Sequence, residues 1–413
     1  MARQLPFQLA FVLYSIILTT LLAYAPTLVQ SSTLESDIQV LRLVQQSIDP
    51  VSIPASSYLN SWDFSLDPCE SSGGFLGVLC TFPLDNSSNR VIEIDLDAAG
   101  YDGFLSPAIG NLSELTTLNL SKNKFRGPIP DTIVNLKRLT RISLSGNLFT
   151  GNIPYGITRL KHLEFIDLSQ NHLSGSIPPD ISGLRSLTYL SLSSNSLSGR
   201  IPDLSGLWQL GTLDLQDNQL YGILPKLPVN LRTLSLSHNV LSGHISPIRV
   251  LQRLAWLDVS DNRLTGIISQ EILTLPQALR INLSINHFSV IEPIKYPARE
   301  TQLQVLDAHA NQLSGHLPVG LAAVENLTSI YLSHNQLYGP IPPEYGTRLS
   351  NSWKALFLDN NFLIGNLPRQ FNNVVGIRGS LAHNCLRCPS EIPLCRGGQR
   401  SPSECGRSND ESD

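Results

Sequence analysis

Cysteine and histidine are the side chains here whose grouping could do chemistry. Cys385-Leu386-Arg387-Cys388 is a C-x-x-C pair, with Cys395 and Cys405 close behind. Four thiolates at such spacing can hold zinc, or they can close as disulfides where the compartment is oxidising. The other two cysteines, Cys69 and Cys80, stand near the start of the chain. With an apolar leader upstream, disulfides are the expectation for all six, and no metal is. Four C-terminal cysteines allow three pairings, which spacing alone leaves open. Among the histidines, His162, His238, His309 and His334 fall on a regular frame. His309 and His334, 25 residues apart, are expected at matching positions on adjacent strands, with Asp307 nearby. None has the context of a nucleophile or a ligand-spacing motif, so neither an enzyme nor a cofactor is expected.

That frame is a repeat. Leu187-Thr188-Tyr189-Leu190-Ser191-Leu192-Ser193-Ser194-Asn195-Ser196-Leu197-Ser198-Gly199-Arg200-Ile201-Pro202 has the skeleton LxxLxLxxNxLxGxIP. Its asparagine recurs at Asn123, Asn147, Asn171, Asn195, Asn218, Asn239, Asn262, Asn286, Asn311, Asn335 and Asn361, about 23.8 residues apart on average. Such a period means a solenoid. Leucines at spacings of 3, 2 and 5 fit neither a helix nor a long alternating strand. They fit a coil with a short strand pointing Leu190 and Leu192 inward. Asn195 sits where the chain leaves the strand, and its amide can satisfy backbone groups that would be costly to bury unpaired. Gly199 permits the turn and Ile201-Pro202 begins the return. A lone coil cannot bury its leucines, so coils must stack and cap their ends.

With GxIP after the asparagine, the repeat resembles the plant-specific leucine-rich repeat of receptor kinase ectodomains, receptor-like proteins and polygalacturonase-inhibiting proteins, over roughly residues 33 to 405. The resemblance implies an α/β solenoid: a leucine-rich repeat superhelix with a parallel concave β-sheet and disulfide-stapled caps. Five segments are expected: a secretory signal peptide over 1–32 cleaved near 25–32, an N-terminal cap over 33–90, twelve repeats over 91–378, a C-terminal cysteine cap over 379–405 and a disordered tail over 406–413. An uncleaved leader would instead anchor the chain in a membrane. In the N-terminal cap, Ser32-Thr33-Leu34-Glu35 reads as a capping box, followed by an apolar face of Leu34, Ile38, Leu41, Val44 and Ile48. Phe75 stands where this cap usually has a tryptophan.

Twelve strands about 4.8 Å apart make a concave sheet of roughly 50 Å, long enough for a macromolecule or peptide. The position before the middle leucine offers Phe165, Tyr189 and Trp256, and two residues on come Tyr331 and Phe357. These aromatics, with His309 and His334, are the candidate partner-binding residues. Glycosylation sequons occur at Asn86, Asn111, Asn119, Asn282 and Asn326. Asn111 and Asn326 fall on the outer return, and Asn119 and Asn282 on concave strands. A net charge of −4 gives no reason to expect nucleic acid. No kinase motif and no second apolar span are present in the sequence. The resemblance implies a secreted protein of the cell surface that recognises a protein or peptide, possible partners being a receptor kinase ectodomain or a secreted hydrolase. An inhibitor of polygalacturonase is the alternative, although such inhibitors have fewer repeats and more cysteines in the N-terminal cap.

Overall fold

The computed structural model describes residues 32–70, 74–83, 85, 87–294, 301–373 and 376–405. Residues 1–31 of the expected signal peptide, the sequon at Asn86 and the expected tail from 406 lie outside the described residues. Repeated coils build one long sheet of fourteen strands, from Val78–Thr81 to Arg378–Ser380. Only the first pair, Val78–Thr81 with Arg90–Asp95, is antiparallel, and the rest run parallel. Strands of three residues suffice because nearly every one contributes one inward leucine or isoleucine, such as Leu190 or Ile166, to a core that continues through its neighbours.

Asparagine holds each coil to the next. Asn195 Nδ2 donates to the carbonyls of Leu168 (3.0 Å), Leu192 (3.2 Å) and Ser193 (3.1 Å). Its Oδ1 accepts the Leu173 N–H at 2.9 Å. One amide thus satisfies the corner of its own coil and that of the coil before it. The residue ahead of each ladder asparagine takes a left-handed backbone, including Ser194 (φ 52°) and the β-branched Ile285 (φ 53°).

This ladder runs one coil beyond the twelve repeats expected. Asn384 accepts the Leu363 N–H at 3.0 Å and donates to the carbonyl of Leu358 at 2.9 Å. Its strand, Arg378–Ser380, pairs in register with Ala355–Phe357. The extra coil lies largely inside the segment expected as cap, and is disguised because Gly379 fills a leucine slot and Cys385 follows the asparagine.

Outside the concave sheet, most coils return through a short strand and then a 3-10 helix, with α-helices at Gln270–Leu273 and Pro343–Asn351 and no helix between Ser196–Arg200 and Thr212–Asp214 or between Gln219–Gly222 and Thr233–Ser235. Gly199 has φ 89° there. Where a helix follows an Ile-Pro pair the proline starts it, as Pro130 does for Asp131–Asn135 and Pro154 for Tyr155–Arg159. These outer strands form a nine-stranded sheet ending at His287–Ile291 and a separate four-stranded one beginning at Ser314–His316. The interruption coincides with the coil lacking both glycine and Ile-Pro.

At the N-terminus a helix over Glu35–Gln46 buries Asp37, Val40, Leu41 and Val44. The expected capping box is not formed: no side chain caps the helix. Thr33 is committed elsewhere, its N–H donating to Asp67 Oδ2 at 2.8 Å and its hydroxyl to Asp67 Oδ1. Phe75 stacks on Trp62 with centroids 5.4 Å apart. Asp37, fully buried, receives Arg90 Nε at 2.9 Å and the Val91 N–H at 3.1 Å, which ties the cap helix to the first repeat strand. Disulfides close Cys69 to Cys80, Cys385 to Cys405 and Cys388 to Cys395, so the C-x-x-C cysteines are not paired with each other. Among the described residues no helix is long and apolar enough to cross a membrane.

Candidate functional site: the concave sheet

Parallel pairing in strict register lines up one exposed column across the sheet. Arg141, Phe165, Tyr189, Thr212, Thr233, Trp256 and Arg280 stand side by side on consecutive strands. Phe165 and Tyr189 stack with centroids 4.4 Å apart and planes 8° from parallel. The Arg141 guanidinium covers the other face of Phe165 at 4.3 Å. Rings stacked along the solenoid turn their edges, which carry positive partial charge, toward a partner. Burial and the Asp167 carboxylate push the Tyr189 hydroxyl above its ordinary pKa, so it remains a hydrogen-bond donor.

Trp256 is different. It is 50% exposed, and among the described residues no ring or guanidinium stacks on it. It forms one wall of a cavity of about 490 Å³ shared with Thr233, Ser235, Asp258, Arg280 and Asn282. Further along, Tyr331 stacks on Phe357 at 5.2 Å. The column before Tyr331 is closed there, Ser329 and Ala355 being buried.

The parallel column of acidic and amide residues is structural. Asp167, Asp258 and Asp307 accept the N–H two residues on, from Ser169 (3.1 Å), Ser260 (3.0 Å) and His309 (3.2 Å). Asn119 and Asn282 do the same for Ser121 and Ser284 and also donate to the aspartate of the preceding strand, Asp95 at 2.8 Å and Asp258 at 3.1 Å. Both are half-buried, whereas Asn111 and Asn326 are exposed on the outer side.

The two histidines do not match. His309 precedes its ladder asparagine by two residues and His334 by one, because Asn311 and Asn335 are 24 residues apart rather than 25. His334 is equivalent to Ala310, both with left-handed backbone. His309 Nδ1 meets Asp307 at 2.7 Å, while His334 lies 3.9 Å from Asp359. They form no shared site. His238 likewise pairs with its own neighbour, Asp261, at 2.6 Å. Arg141 and Arg280 are the members of the site that a search for aromatics passes over. Their signal was their place in the same column.

Models of the leucine rich repeat match residues 154–197, with further copies at 114–136, 138–160, 230–249 and 326–347. The chain carries leucine-rich repeats. The inactive LRR receptor-like serine/threonine-protein kinase BIR2 of Arabidopsis thaliana is 35% identical over 97 residues, 23% of this chain and 15% of the relative. The crystal structure of a TDR receptor superposes with a TM-score of 0.65 at 30% identity, covering 71% of this chain and 52% of that one. The plant peptide hormone receptor RGFR1, in complex with RGF2, gives 0.58 at 28% identity over 73% of this chain and 57% of its own. This leucine-rich repeat chain therefore spans about half the length of these solved receptors, and 8% to 15% of the curated relatives' length is matched.

Proposed function

We propose that the protein is secreted and recognises an extended peptide or protein segment along its concave face, as a receptor-like or co-receptor scaffold in cell-surface signalling or defence. The observation that carries this reading is the spacing of its aromatics. Three strand steps separate Tyr189 from Trp256, and three more separate Trp256 from Tyr331. At about 4.8 Å per step each gap is about 14 Å, which an extended chain rising about 3.3 Å per residue crosses in about four residues. A partner with apolar side chains at that interval meets the Phe165–Tyr189 stack, Trp256 and the Tyr331–Phe357 stack in turn. The likeness to a plant peptide hormone receptor solved with RGF2 supports a ligand of this kind.

The test is a photo-crosslinker at Tyr331, carried by tagged protein expressed in plant cells. A secreted peptide or a receptor ectodomain at the crosslink supports the reading. Capture of a cell-wall hydrolase, together with stoichiometric suppression of pectin hydrolysis, would replace it with an inhibitor.

A further inference from the structure

Asn282 and Trp256 line the same cavity. Asn282-Leu283-Ser284 is a glycosylation sequon, placed on the concave face where a glycan would meet a partner. The amide is held in one orientation. Its Oδ1 accepts from the Ser284 N–H at 3.2 Å and the Ser284 hydroxyl at 2.8 Å. Its Nδ2 donates to Asp258 Oδ2 at 3.1 Å, and Asp258 is two residues along the strand from Trp256. The atom that would carry a sugar is thus fixed beside the strand bearing the exposed indole.

We propose that Asn282 carries an N-glycan whose first sugar packs on the open face of Trp256 and fills this cavity, so that occupancy of the sequon sets the fraction of molecules able to offer Trp256 to a partner. The inference rests on the reading of the chain as secreted and adds regulation to the concave site. Transfer occurs before folding, from a lipid-diphosphate-linked oligosaccharide. Nδ2 bonds to C1 of the first N-acetylglucosamine and gives up one proton to the transferase. The C1–O bond to the diphosphate breaks, and the lipid diphosphate leaves with the electron pair. The second Nδ2 hydrogen remains for Asp258.

Three features favour the packing. The axial C–H bonds of a pyranose are weakly positive and suit the negative face of an aromatic ring. That face is free on Trp256, whereas Phe165 is covered on one side by Tyr189 and on the other by Arg141. A sugar tethered one strand away is also present at an effective concentration on the order of millimolar, so a weak contact is enough. Asn119, the other concave sequon, has Glu93, Thr117 and Arg141 beside it and no aromatic residue on either neighbouring strand. Its glycan has no platform.

The full chain, tagged and purified from plant cell medium, is mapped by glycopeptide mass spectrometry and by oxidative footprinting. The expected result is sugar at Asn282 and slow oxidation of Trp256, which rises severalfold after a peptide N-glycanase trims the whole glycan, first sugar included, from the folded protein. Trp208, 57% exposed and remote from any sequon on the concave face, serves as the reference and is unchanged. Asn282→Gln gives the trimmed rate without enzyme, and trimming wild type keeps the test open should that variant fold poorly. Sugar at Asn111 and Asn326 with none at Asn282 overturns this inference alone, as does an occupied Asn282 with unchanged Trp256 oxidation. A chain retained in the cell without sugar at any sequon overturns the secreted reading and this inference together.

Discussion

Phe165 and Tyr189 lie face to face across adjacent strands, 4.4 Å between centroids, with Arg141 completing the stack. Such a stack fixes each ring in place before a partner arrives, which lowers the entropy lost on binding. Removing Phe165 therefore acts twice, on the contact and on the position of Tyr189. Phe165→Ala and Tyr189→Ala are expected to be non-additive in partner affinity, with a coupling of about 0.5–1.5 kcal/mol. Simple additivity in a calorimetric double-mutant cycle would show that the rings act independently.

Trp256→Ala is expected to weaken partner binding without lowering the melting temperature, since the indole is half exposed and lies outside the leucine core. An anchor of this kind commonly accounts for about 2 kcal/mol or more of binding. Equal affinity of mutant and wild type would move the binding surface off the middle of the sheet.

Asn195→Ala removes donors to three carbonyls and the acceptor for Leu173, at a partly buried rung of the ladder where solvent replaces them only in part. A loss of about 1–3 kcal/mol is expected, read as a lower midpoint in denaturant. An unchanged midpoint would mean that the ladder is bystander geometry.

The pair Asp37 and Arg90 separates two kinds of loss. Asp37→Ala leaves both the Arg90 guanidinium and the buried Val91 N–H without their acceptor and is expected to cost about 3–5 kcal/mol, whereas replacing both residues with apolar side chains of similar size leaves only the Val91 N–H unpaired and is expected to cost about 1–3 kcal/mol. Thermal melts of the two variants, compared side by side, check this.

Glu93 offers a test of pH dependence. Burial, reinforced by the neighbouring Asp95 and opposed by Arg141, raises its pKa. Between the unfolded and the raised folded pKa the native state holds more protons than the unfolded one, so this residue's contribution to stability falls as pH rises. Glu93→Gln is expected to be more stable than wild type near neutral pH and to lose that advantage below the ordinary glutamate range. Parallel stability curves from acid to neutral pH would refute the assignment.

Fold class was legible because one leucine pattern recurs with an asparagine at its corner, and the exposed columns followed from counting to that asparagine. The same counting misled at two places. Asn384 is masked because Gly379 and Cys385 replace the usual residues around it, though Leu381, Asn384 and Leu386 keep the frame. His309 and His334 are 25 residues apart where their ladder asparagines are 24 apart, and that one residue moves a side chain from the strand end to the left-handed corner. The Thr33 hydroxyl and the Asp37–Arg90 tie lay beyond reading because each partner is 34 or 53 residues away in sequence, with no repeat to relate them. The cavity at Trp256 likewise depends on three successive strands, and local sequence carries no record of what stands on the strand next door.

A stacked array resists bending through the bonds on both of its faces. Here the inner sheet is unbroken while the outer sheet stops at His287–Ile291 and restarts at Ser314–His316. The protein is in this respect a spring with one leaf thinned: at that coil the outer face is crossed by the Gln312 N–H to the Phe288 carbonyl at 3.0 Å and the Ser314 hydroxyl to the Ser289 carbonyl at 3.4 Å rather than by a strand ladder, which makes the stretch between Trp256 and Tyr331 the expected place for the array to flex.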